Sequence, residues 1–148
     1  MEQKPNLVYI LTVLWIIIGI LFLGSFIAYI TDYFDNFSHM SIIRFYFASY
    51  LILFLFIVLS AFILAYGTFL KKSWSWITGV MLSSFLGYFA YSGIQLIWSL
   101  ISMGNIDQLF ANLYIGFHYT TYLLMIFFVP AILFILTRPV VKAYFGKT

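Results

Sequence analysis

Charge placement constrains this chain more than any other feature. Its formal charges divide it into four long uncharged stretches, Pro5 to Thr31, Phe45 to Leu70, Ser73 to Ile106 and Gln108 to Thr137. Each exceeds the ~20 residues that an α-helix needs to cross a hydrocarbon core of ~30 Å. A soluble fold of 148 residues needs a charged surface, yet only 7% of this chain is charged, against roughly 25% in a soluble domain. A bilayer asks instead that backbone N–H and C=O groups be satisfied internally, which a helix does. The expectation is an all-α integral membrane four-helix bundle, a single domain over residues 1–148 with spans near 7–30, 45–70, 76–101 and 109–136. The first run, Leu7 to Ile30, is about 24 residues or ~36 Å of helix. It is longer than a signal-peptide core and no Ala-x-Ala-like site follows, so it reads as a permanent span.

In this arrangement Lys4, Lys71, Lys72, Arg138, Lys142 and Lys147 fall on one side, and Arg44 falls on the other with Asp32, Asp35 and Asp107. Lysine and arginine favour the cytoplasmic loops of membrane proteins. Both termini and the Lys71/Lys72 turn are therefore expected in the cytoplasm, in a multi-pass protein of the plasma membrane. Lys71, Lys72, Arg138 and Lys142 serve as topology anchors, and Tyr66, Phe69, Trp74 and Trp76 form the aromatic belt at headgroup depth. An alternative role for the lysine pair is a patch for anionic lipid or a partner. The formal net charge of +3 is too small and scattered for nucleic acid. The absence of cysteine removes disulfides, thiolate nucleophiles and cysteine metal ligands.

Three segments carry a resemblance: KPNLVYILTVLWIIIGILFLGS near the start, AYGTFLKKSWSWITGVMLS at the second turn and LTRPVVKAYFGK at the end. Together they resemble an archaeal family of small four-span membrane proteins. Its hallmarks are a basic residue and proline before the first helix, an Ala-Tyr-Gly-x-x-x-x-Lys-x-Trp turn, and a terminal Arg-Pro-x-Val-Lys-x-Tyr-Phe-Gly tail. The resemblance implies an archaeal origin and a family without assigned chemistry. It also suggests the small accessory subunits of archaeal membrane complexes, ammonia monooxygenase among them. The outer loop TDYFDNFSHMSIIR matches none of these hallmarks.

The third span presents two faces suited to protein contact. At 100° per residue, Gly79, Ser83, Gly87, Ala90 and Gly93 share one sector, where small side chains let another helix approach closely. Nearly opposite lie Ser84, Tyr88, Tyr91 and Gln95, with Trp98 at the edge. Between them Leu82, Phe85, Phe89, Leu96 and Leu100 form a stripe suited to lipid. A helix needing protein on two sides is short of neighbours in a four-helix chain, so both faces are expected to pack against other membrane subunits or a second copy. The plainer reading is that tyrosine tolerates an interfacial position and Gln95 finds a carbonyl in its own bundle.

Tyr114, His118, Thr121, Tyr122 and Met125 follow a helical period on the fourth span. With Tyr91 and Gln95, the polar members Tyr114, His118, Thr121 and Tyr122 would line an outward-facing pocket. A histidine within a span is a functional candidate, although His118 lies close enough to the interface to be satisfied there. Asp32, Asp35 and His39, joined by His118, would be the donors of an outer-face metal site, with copper suggested by Met40 and Met103, yet no recognised ligand spacing supports one. Asn36-Phe37-Ser38 is a glycosylation sequon. Pro130 frees the Ile126 carbonyl within the fourth span. After Pro139 the chain reads as an interfacial tail anchored by Tyr144 and Phe145.

No Asp, Glu, Lys or Arg lies within an expected span, which argues against ion-coupled transport. No phosphate-binding glycine loop, acid–base pair or nucleophile–base set is present. The expectation is a non-catalytic accessory subunit without a cofactor. The alternatives are a small channel or facilitator for an uncharged solute, and metal (copper) handling on the outer face.

Overall fold

The computed structural model describes residues 5–36, 41–104 and 113–147, apart from the side chains at 32–36, 41–48, 96, 100 and 113–119. Among the described residues the chain is helical, without strands: α1 Asn6–Asn36, α2 Ser41–Phe69, α3 Ser73–Ser102, α4 Leu113–Thr137 and a short α5 Pro139–Tyr144. The first four are long and apolar enough to cross a membrane, over Asn6–Thr31, Ser49–Phe69, Ser73–Ser99 and Thr120–Thr137. Helix α1 runs past Asp32 and Asp35, beyond the expected end at residue 30. Charges limit the length that hydrocarbon can cover, not the length of the helix. The expected start of the fourth span at 109 lies outside the described residues.

The helices form a ring in chain order. α1 packs most extensively on α2, α3 and α1 both pack on α4, and α2 meets α3 along the thinnest seam. Neighbours run antiparallel: Phe62 of α2 lies against Gly19 of α1, and Tyr122 and Val129 of α4 lie against Gly93 and Gly87 of α3. The inward residues of α1, Val8, Leu11, Trp15, Ile18, Phe22 and Ser25, recur every three or four positions and are almost fully buried. That spacing is the seam of nearly parallel helix packing. Phe54, Ile57, Ala61 and Leu64 on α2 and Met125, Val129, Ile132 and Leu136 on α4 follow the same rule.

All four helices meet in an aromatic node. Phe22 of α1 lies 6.1 Å from Phe54 of α2 and 6.0 Å from Phe89 of α3, measured between ring centroids. Phe54 and Phe89 meet edge-on at 6.5 Å, and Phe89 lies 4.9 Å from Tyr122 of α4. Tilted and edge-on contacts suit the ring quadrupoles and add roughly 0.5–1.5 kcal/mol per pair beyond burial.

The other end of the bundle is closed by backbone turns. α2 stops in a Schellman motif, with Lys72 N–H donating to the Gly67 carbonyl at 2.9 Å and Lys71 N–H to that of Thr68 at 3.3 Å. Lys71 holds the left-handed position at φ 59°, where glycine is usual. The same motif ends α5 with Gly146 in that place, at φ 68°. After α4 the tail folds back onto this end of the bundle. Arg138 is extended, Pro139 restarts a helix, and Val141 and Phe145 are buried in the core. Of the two expected anchors only Tyr144 remains partly exposed, its hydroxyl 3.5 Å from the Phe69 carbonyl and its ring 5.4 Å below the Lys71 ammonium. Desolvation raises the Tyr144 phenol above its ordinary pKa, opposed by the charge of Lys71.

Candidate functional site

Helix α3 carries the candidate surface, and its two expected protein faces have different fates. The small-residue face is filled by the chain itself. Ser83 and Ala90 are buried, and Gly87 and Gly93 lie under Val129 and Tyr122 of α4. Gly79 faces Trp15 and Leu136. A side-chain carbon at Gly93 would stand 2.4 Å from Cγ of Tyr122, so the close approach requires glycine there. The expectation that Gly79, Ser83, Gly87, Ala90 and Gly93 receive a separate subunit is therefore corrected, because α4 occupies that sector. The stripe assigned to lipid is corrected in part too. Leu82 is buried and Phe89 sits in the aromatic node, while Phe85 is exposed. The small face meets α4 and the large stripe turns toward α2, as a ring of four requires.

The opposite face has no neighbour among the described residues. Tyr88 is 71% exposed, Tyr91 58% and Trp98 72%, and Ser84 and Gln95 are exposed with them. Their spacing, 84, 88, 91, 95 and 98, alternates four and three residues. That pattern keeps one stripe facing a single partner helix. Two polar groups are organised within the face: Gln95 Nε2 donates to the Tyr91 hydroxyl at 2.7 Å, and Ser84 Oγ donates to the Val80 carbonyl at 3.0 Å. The Gln95–Tyr91 pair keeps an amide oxygen as acceptor and a phenol proton as donor. Exposed aromatic rings with a few fixed polar atoms are enriched in protein interfaces, and tyrosine and tryptophan are equally the residues of the membrane–water boundary.

The expected outer pocket does not assemble from the residues that can be placed. Thr121 and Tyr122 point into the bundle, with Thr121 Oγ1 3.1 Å from Ser25 Oγ and Tyr122 within the aromatic node, whereas Tyr91 and Gln95 face outward. The side chains of Tyr114 and His118 lie outside the described residues, as do those of Asp32, Asp35, Asn36 and His39. No group of three metal-ligating side chains occurs among the described residues. Sequence reasoning missed Ser25, whose only signal was its place in a three-or-four-residue repeat shared with Phe22 and Ile18.

Two further features are fixed by the bundle. Trp76 Nε1 donates to the Leu136 carbonyl at 2.9 Å and so caps the C-terminal end of α4. Its polar atom therefore reaches inward onto α4. Trp15 Nε1 and Thr68 Oγ1 are buried without a hydrogen-bond partner among the described residues. In the lateral seam between α2 and α3 lies an apolar groove of about 400 Å³, bordered by Phe56, Ile63, Trp74, Met81 and Phe85.

Comparison with known protein families, curated proteins and solved structures finds no match to this chain.

Proposed function

We infer that the chain is a non-catalytic integral membrane subunit that packs against a larger membrane partner through the Ser84/Tyr88/Tyr91/Gln95/Trp98 face of α3. The observation that carries this reading is the exposure of Tyr88, Tyr91 and Trp98 on one stripe around an internally hydrogen-bonded Gln95–Tyr91 pair. Lipid chains offer nothing to the remaining amide oxygen and phenol protons, whereas a neighbouring helix does. The contribution is scaffolding by shape and hydrogen bonding, with no substrate handled by this chain. The sequence resemblance gives the reading a concrete form, an accessory subunit of an archaeal complex such as ammonia monooxygenase, and supports that form alone.

In the proposed topology the end bearing Lys71, Lys72, Arg138 and Lys142 faces the cytoplasm of a plasma membrane, as the distribution of basic residues favours. The cysteine-free sequence makes this simple to test. Single cysteines at Ser73 and Met103 should react with an impermeant reagent from opposite sides of sealed cells, Met103 from outside.

Native electrophoresis of mild-detergent extracts, with mass spectrometry of the bands, tests the assignment. Wild type should comigrate with a defined set of membrane polypeptides. Tyr88→Ala/Trp98→Ala should lose that set, while Phe127→Ala, on an exposed position of α4, should keep it. A band containing this chain alone, with solute flux in liposomes, would favour the channel instead.

A further inference from the structure

The groove between α2 and α3 is lined by none of the residues of the proposed partner face. We propose that it holds one hydrocarbon chain of an anionic lipid from the leaflet at the Lys71/Lys72 end, with the lipid phosphate at Lys72. The proposal shares with the preceding reading only the placement of four helices in a bilayer.

The seam is thin for a local reason. At the turn, Gly67 has no side chain and the Trp74 ring lies against it; a Cβ there would stand 2.6 Å from Trp74 Cη2. The ring fills the turn end of the seam, and the groove continues beyond it between Phe56 and Ile63 on one wall and Met81 and Phe85 on the other. From Trp74 to Phe85 the groove extends ~16 Å along α3 at ~1.5 Å per residue. That is about half of a ~30 Å hydrocarbon core, the depth of one leaflet. The groove holds about 400 Å³ and its lining is almost wholly apolar along that length. An extended hydrocarbon chain fits.

Charge selects the headgroup. No acidic residue occurs between Asp35 and Asp107, so the α2–α3 hairpin carries basic charge alone. Lys71 lies over the Tyr144 ring, whereas Lys72 is exposed two residues before Trp74, which lines the turn end of the groove. Tyr66, 66% exposed, flanks the same turn at headgroup depth. A lysine next to an anionic lipid surface favours binding about fivefold.

Native mass spectrometry of the purified full chain tests this, with phosphatidylglycerol and phosphatidylcholine of identical acyl chains as probes. Wild type should retain one phosphatidylglycerol, about fivefold in preference to phosphatidylcholine. Lys72→Gln should remove the preference while leaving weak retention of both lipids. Ser60→Phe, which fills the groove, should abolish retention, and Met81→Trp, at an exposed groove position, should do the same if Ser60→Phe fails to fold. Equal retention of the two lipids by wild type, an unchanged preference in Lys72→Gln, or full retention in the groove-filling variants would overturn the proposal. So would a second copy of the chain displacing lipid. Because the purified chain is used, a missing partner subunit does not affect these outcomes.

Discussion

The indole N–H of Trp76, near the start of α3, donates to the main-chain carbonyl of Leu136, in the last turn of α4, at 2.9 Å. The bond ties the beginning of one helix to the end of its neighbour. Leu136 needs it because the chain turns at Arg138 and Pro139, which ends the ladder that would otherwise have satisfied this carbonyl. Trp76→Phe keeps the ring and removes the donor. The expected loss is roughly 1–3 kcal/mol, the cost of an unsatisfied buried acceptor, read as a lower melting temperature in detergent. An unchanged melting temperature would show that water replaces the indole.

Two glycines on α3 should respond oppositely to the same change. Gly93→Ala forces a carbon against the root of the buried Tyr122 ring, which cannot swing away, and overpacking of this kind costs about 1–3 kcal/mol. Gly87→Ala meets Val129 at 3.4 Å. It gains about 1 kcal/mol of helix propensity and should be neutral or stabilising. Parallel thermal unfolding of both variants reads the difference, and equal effects would contradict the packing described.

At Lys71 the usual order of helix formers should reverse. Lys71→Ala keeps the left-handed backbone at φ 59° and loses the contact with the Tyr144 ring. Lys71→Gly loses the same contact but relieves the backbone, worth about 1–2 kcal/mol. The glycine variant should therefore be the more stable of the two by about that amount in chemical unfolding.

Thr68 is fully buried and its hydroxyl has no partner among the described residues. Thr68→Val preserves the shape and removes the unpaired group, so it should raise stability by about 1 kcal/mol. Destabilisation would reveal a bonded water at that site.

The four long helices were legible in the sequence because charged residues mark where hydrocarbon ends. Their inward faces were not. Each helix is apolar nearly all round, so lipid-facing and core-facing side chains are of one kind and no polar face points away from the core. Gly79, Gly87 and Gly93 announced a close helix approach, yet spacing alone does not say whether the approaching helix belongs to the same chain. The aromatic node was hidden for a related reason. With 18 phenylalanines and 12 tyrosines spread along the chain, nothing local distinguishes Phe22, Phe54, Phe89 and Tyr122. The burial of Val141 and Phe145 was missed because the residues after Pro139 were read as an interfacial tail, and six residues carry too little pattern to show a helix packed on the core.

A photoreactive benzophenone side chain at position 88 tests the central claim most directly. Placed in the native membrane, it should join the chain covalently to one other polypeptide, while the same probe at Phe127 of α4, equally exposed, should label lipid alone. Lipid adducts alone at both positions would contradict the account of α3 as a subunit interface.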